Sequence, residues 1–149
     1  MDRPILLPLI VAGLVSLGAA GCQPVEKTQP RIEPPPVVLP DSVQLLSPDQ
    51  AEKLITESSS IRIVDMRTEG EAQADGRIAG AQIYDYLHGE SVFEKLAELD
   101  RQRPCLIYCA IGGRAKLTAE RMSQMGFQRL AVLDGGINAW ISAGKPVQK

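Results

Sequence analysis

The chain has 149 residues, with 16 Lys and Arg against 18 Asp and Glu for a formal net charge of -2. That length suits one domain with a two- or three-layer core, and a charge balance with no basic stripe argues against nucleic acid as a partner. Phe and Trp are few, so the core is expected to be aliphatic.

Residues 5–21 are apolar apart from Ser16; Arg3 precedes them, and Gly18-Ala19-Ala20-Gly21 closes the run at Cys22. A charged start, an apolar middle and small residues at the end are the layout of a secretory signal, and the run is just short of a comfortable membrane span. Ala19-Ala20-Gly21-Cys22 resembles a bacterial lipobox, which implies that Cys22 is lipidated, although Ala19 stands where most lipoboxes carry leucine. An uncleaved anchor helix and ordinary cleavage after Ala20 are the alternatives. All three readings place the rest of the chain outside the cytoplasmic membrane, as a membrane-anchored lipoprotein of the cell envelope facing the periplasm in the first. Residues 22–41 then carry Pro24, Pro30, Pro34, Pro35, Pro36 and Pro40, a composition that favours extended, semi-rigid spacer geometry. The expected organisation is therefore a signal at 1–21, a Pro-rich tether at 22–41 and a folded domain at 42–149.

Within that domain Ser47-Pro48-Asp49-Gln50 predicts a helix start, with Ser47 as N-cap and Gln50 closing a capping box. Ile61 to Val64 reads as a strand ending at Asp65, and Ala81 to Tyr84 as another. Ser91 with Glu94 predicts a second capping box ahead of a helix that turns Val92, Phe93, Leu96 and Leu99 inward. Cys105 to Tyr108 is a short apolar run typical of a buried strand. Small or apolar side chains at 115, 118, 119, 122 and 125 follow with helical spacing, then a strand at Leu130 to Leu133 and a last short helix around Ala139-Trp140 after Gly135-Gly136. Strands interleaved with helices predict an α/β fold, a mostly parallel central sheet of about five strands covered by helices on both faces.

Cys109 stands where a strand ends, a glycine-bearing turn intervenes and a helix begins. Ligand crevices of open α/β sheets lie outside the carboxyl ends of the strands. A helix N-terminus offers unpaired N–H groups and a partial positive charge, and both favour an anionic, nucleophilic sulfur. Gly112 and Gly113 would let the loop curl its N–H groups inward as an anion nest. The plainer alternative is a buried strand-end cysteine beside an ordinary loop. Arg114 closes the loop, either as a guanidinium at the mouth or as a first-turn arginine paired with a nearby carboxylate. The lone histidine, His88, is expected on the surface, and Cys105 as an inert core thiol.

Several positions together resemble the rhodanese family, single-domain and thiosulfate sulfurtransferase-like. Asp65-Met66-Arg67 is similar to its Asp-x-Arg signature, and Glu71 with Gly76-Arg77-Ile78-Ala79-Gly80-Ala81 to its Glu and Gly-His-Ile-Pro-Gly-Ala stretch. Cys109 to Arg114 is like its six-residue active-site loop, and Leu133-Asp134-Gly135-Gly136-Ile137-Asn138-Ala139-Trp140 matches its Gly-Gly-x-x-Ala-Trp ending. The resemblance spans residues 42–147 and implies a sulfurtransferase that carries sulfane sulfur as a persulfide on Cys109. The sulfur would come from a small anionic donor, thiosulfate or a low-molecular-weight persulfide, and pass to a thiol or cyanide. Ala110, Ile111, Gly112, Gly113 and Arg114 would bind substrate, with Asp65 buttressing the loop and Arg67 pairing with Glu71. No cofactor or metal is implied, and no oligomeric state is specified.

Arg77, Ala79 and Ala115 depart from the residues usual in the family, and the loop carries no basic residue before Arg114. That last departure brings a polysulfide or persulfide donor into competition with thiosulfate. A phosphatase or arsenate reductase would use a Cys-x5-Arg loop, but four residues separate Cys109 from Arg114, a cradle expected to be too small for a tetrahedral phosphate or arsenate. The remaining alternative is a non-catalytic binding or sensing module of the same fold at the cell envelope.

Overall fold

The computed structural model describes residues 39–149; the signal, Cys22 and almost all of the tether lie outside the described residues. The elements run β1 (Val43–Leu46), α1 (Pro48–Glu57), β2 (Arg62–Asp65), α2 (Glu69–Asp75), β3 (Ala81–Ile83), a 3₁₀ turn (Tyr86–His88), α3 (Glu90–Ala97), β4 (Cys105–Tyr108), α4 (Gly113–Gln124), β5 (Leu130–Leu133) and α5 (Gly136–Ser142). The five strands pair in parallel, in the order β1-β5-β4-β2-β3, so β4 lies at the centre, and Arg77 and Gln148 form an isolated antiparallel bridge. The expected α/β fold is the one observed.

Side-chain alternation assigns the two faces of β4. Cys105 and Ile107 pack with Val92, Phe93 and Leu96 of α3 and Ala115, Ala119 and Met122 of α4. Leu106 and Tyr108 face the other way, toward Ala51 of α1 and Ile137 and Trp140 of α5. Burying each large aliphatic side chain contributes about 1.5–3 kcal/mol, and both faces are fully covered, as a parallel sheet requires.

Local chemistry places the helices. Ser47 and Gln50 form the expected box, Ser47 Oγ accepting the Gln50 N–H at 3.3 Å and Gln50 Oε1 accepting the Ser47 N–H at 2.9 Å. The second expected box does not form. The 3₁₀ turn ends at Gly89 with φ 60°, which restarts the chain as helix at Glu90, so Ser91 falls inside α3 and its hydroxyl donates to the His88 carbonyl at 3.0 Å. Two elements had no sequence assignment. Strand β1 is an edge strand of which only Val43 is buried, too little for an alternation signal. Helix α2 is one short amphipathic segment, opened by Thr68 and Glu71 as a capping box.

Candidate active site

Strand β4 delivers Cys109 to the carboxyl edge of the sheet, buried to 1% exposure. The chain then curls so that the Gly112 N–H donates to Cys109 Sγ at 3.1 Å. Gly112 achieves this with φ 99°, a left-handed conformation open to glycine, and is also the N-cap of α4. Of the expected nest, Gly112 is the amide that reaches the sulfur. Ile111 projects from the loop tip, 71% exposed, while Ala110 is half-buried.

The loop carbonyls are fixed from outside by α5. Ile137 N–H donates to the Cys109 carbonyl at 2.8 Å and Asn138 N–H to the Ala110 carbonyl at 3.2 Å. In a trans peptide the N–H opposes its C=O, so these bonds turn the amides of Ala110 and Ile111 away from α5. Gly136 makes the approach possible. At φ 62° it lies so close that a Cβ there would sit 2.6 Å from the Ala110 carbonyl oxygen. Gly135-Gly136, expected as a turn, also supports the loop; the signal in the sequence is a paired glycine before a helix.

Arg114 leaves the first turn of α4 toward α2. Its Nη2 and Nη1 donate to Glu71 Oε1 and Oε2 at 2.6 and 3.0 Å, and Nη1 also approaches the Met66 carbonyl at 3.4 Å. The bidentate hydrogen bonds from Arg114 hold the Glu71 carboxyl well below the ordinary range, to about 2. Of the two sequence readings of Arg114, the carboxylate-paired one describes its geometry.

Arg67 does not pair with the Glu71 side chain. It is fully buried and pairs with the fully buried Asp65, through Nε to Oδ1 at 3.0 Å and Nη2 to Oδ2 at 2.8 Å. Nη2 also donates to the Gly76 carbonyl at 2.8 Å and Nη1 to the Glu71 carbonyl at 3.4 Å. The reason is reach: the β2 strand end places both side chains inside, under α2, whereas the Glu71 carboxylate points out toward α4. Asp65 accordingly braces the β2–α2 connection rather than touching the cysteine loop. Tyr108 completes this layer, accepting the Ile78 N–H at 3.2 Å and lying under the Arg67 guanidinium at 5.6 Å. Its hydroxyl pKa is pushed up by burial.

Cys105 begins β4, at the end of the strand away from Cys109. Its Sγ donates to the Arg103 carbonyl at 3.5 Å, and burial raises its pKa. His88 is on the surface, its side chain 64% exposed.

A doubly covered parallel sheet that ends its central strand in a buried cysteine, with a glycine loop at a helix N-terminus around it, defines an α/β domain centred on a strand-end cysteine. The family model "Rhodanese-like domain" matches residues 47–143, and the chain belongs to that family. It is similar to the thiosulfate sulfurtransferase GlpE of Shewanella oneidensis, 33% identical over 89 residues that cover 60% of this chain and 84% of the relative. Among solved structures it is similar to the polysulfide-sulfur transferase homodimer of Wolinella succinogenes, with a TM-score of 0.61 and 26% identity, covering 72% of this chain and 79% of that one. A Rhodopseudomonas palustris protein of unknown function, described as a possible tyrosine phosphatase, matches with a TM-score of 0.59 and 29% identity, covering 72% and 86%.

Proposed function

We propose that this protein is a sulfurtransferase that carries sulfane sulfur as a persulfide on Cys109. The observation that carries the reading is the Gly112 N–H donated to Cys109 Sγ at 3.1 Å, at the opening of α4. Family membership and relatives named as sulfurtransferases support it. The four residues between Cys109 and Arg114, with Arg114 turned to Glu71, favour a sulfur-sized cradle over a phosphatase site.

In the first half-reaction the Cys109 thiolate attacks the outer sulfur of the donor. The donor's S–S bond breaks, and with thiosulfate the electron pair leaves on sulfite. The persulfide anion extends past Sγ into the loop, where the N–H groups and helix N-terminus meet its charge. In the second half-reaction a thiolate or cyanide attacks the outer sulfur and Cys109 leaves as thiolate. The two halves alternate the enzyme between its Cys109 thiolate and persulfide forms and give ping-pong kinetics.

The test is mass spectrometry of the full chain after incubation with thiosulfate or glutathione persulfide. A gain of about 32 Da on Cys109, removed by cyanide, supports transfer. No gain on a folded protein with a free thiol overturns it in favour of a binding or sensing module.

We also propose that the chain is exported and held at the membrane through lipidated Cys22, on the strength of the N-terminal sequence. Replacing Cys22 with Ser should release it to the soluble fraction. Persistent membrane association would instead favour an uncleaved anchor helix.

A further inference from the structure

The two cations in the first turn of α4, beside the loop, are each matched by a carboxylate: Glu71 holds Arg114 at 2.6 Å and Asp134 holds Lys116 at 3.3 Å. The loop itself, Ala110 to Gly113, has no charged side chain. What it presents to solvent is Ile111, 71% exposed, and Leu117 on the adjoining helix is 43% exposed. Leu117 shares the face of α4 that carries Arg114, three residues before it.

This is a poor receptor for a compact dianion. Thiosulfate keeps charge on the group that departs, and a guanidinium already neutralised by a bidentate carboxylate offers that charge little attraction. An apolar group attached to the departing atom would instead cover Ile111, with about 25 cal/mol gained per Å² removed from water. The Glu71 carboxyl, held near 2 by Arg114, stays ionised at any physiological pH, so the neutralisation is permanent.

Resting on the persulfide reading of Cys109, we propose that the mouth selects a singly charged organic sulfane-sulfur donor bearing an apolar group over thiosulfate, with Glu71 and Ile111 as the specificity-determining residues. An organic thiosulfonate has this chemistry. The Cys109 thiolate attacks its outer sulfur, the bond from that sulfur to the sulfonyl sulfur breaks, and the sulfinate leaves with the electron pair.

The test compares benzenethiosulfonate with thiosulfate on the full chain, with cyanide as acceptor. Each kcat/KM is normalised to the rate at which the same donor reacts with free 2-mercaptoethanol, which removes intrinsic leaving-group differences. The normalised ratio should favour benzenethiosulfonate by about tenfold or more, the scale of one well-filled apolar contact. Ile111→Ser, at an exposed loop tip, should cut that ratio at least about threefold. Glu71→Gln keeps one acceptor oxygen, enough for the Thr68 N–H cap and one Arg114 bond, but loses the second Arg114 bond and removes the charge. It should raise kcat/KM for thiosulfate about fivefold, a gain that shrinks with added salt. A normalised ratio at or below unity in the wild type overturns the preference alone, as does a ratio that neither variant moves. Failure of both donors to load Cys109 overturns the sulfur-transfer reading and the preference with it.

Discussion

Glu71 grips Arg114 with both carboxylate oxygens, at 2.6 and 3.0 Å, while the second of those oxygens also accepts the Thr68 N–H at 2.9 Å. One side chain thus caps α2 and fastens α4 beside the cysteine loop. Its carboxyl titrates near 2 when folded, lowered first by the Arg114 hydrogen bonds, against about 4.3 in an unfolded chain. Ionised Glu71 therefore adds stability that is fully present above about pH 4.3 and is lost as the pH falls toward 2. Urea midpoints measured down that range should fall more steeply for the wild type than for Glu71→Gln. Parallel curves would show that the pair contributes nothing to folding.

Cys109→Ser should reduce sulfur transfer to background with an unfolding free energy unchanged to within about 1 kcal/mol, since serine fills nearly the same volume. Cys105→Ala, at the far end of the same strand, should keep the activity and lose about 1–2 kcal/mol of stability through its small cavity. Thiocyanate production and urea titration read both. Activity retained by Cys109→Ser would remove the proposed nucleophile.

Gly136→Ala should impair the loop without touching its sequence. The added methyl meets the Cys109 and Ala110 carbonyls at a φ of 62°, and the cost is expected at about 2 kcal/mol or more. Transfer activity should fall well beyond the loss of folded protein, as the Ile137 and Asn138 N–H bonds are pushed off their acceptors. A variant with normal kcat/KM would show that α5 does not shape the cradle.

The Asp65–Arg67 pair is fully buried. Arg67→Ala leaves the buried Asp65 carboxylate without its partner and should cost about 3–5 kcal/mol, whereas Asp65→Ala leaves Arg67 with Asp75 at 3.6 Å and should cost less. The double replacement Asp65→Leu with Arg67→Met should cost clearly less than the sum. Additive losses in a double-mutant cycle would mean that the two side chains act separately.

Much of this was legible in the chain. Apolar runs and capping residues placed β2, β3, β4, β5, α1 and α4, and Cys109 with its glycine turn stood out because strand, turn and helix signals meet there. Strand β1 was not legible, because an edge strand with one buried residue carries no period. The partner of Arg67 was misassigned for a geometric reason. Sequence neighbours suggested Glu71, but the buried strand end brings Asp65 to the guanidinium and leaves Glu71 free to face Arg114, 43 residues away. Such long-range pairing is set by packing and leaves no local trace. The contribution of α5 to the loop was hidden in the same way, since Ile137 N–H meets Cys109 only once β4 and β5 lie side by side.

The central position of β4 has a consequence for motion. Amides in a strand flanked on both sides and covered on both faces exchange with solvent only through the largest unfolding events, whereas edge strands open first. The slowest-exchanging amides of the protein should therefore be those of Leu106 and Ile107, two and three residues before the nucleophile. The proposed nucleophile would then directly follow the most slowly exchanging strand among the described residues.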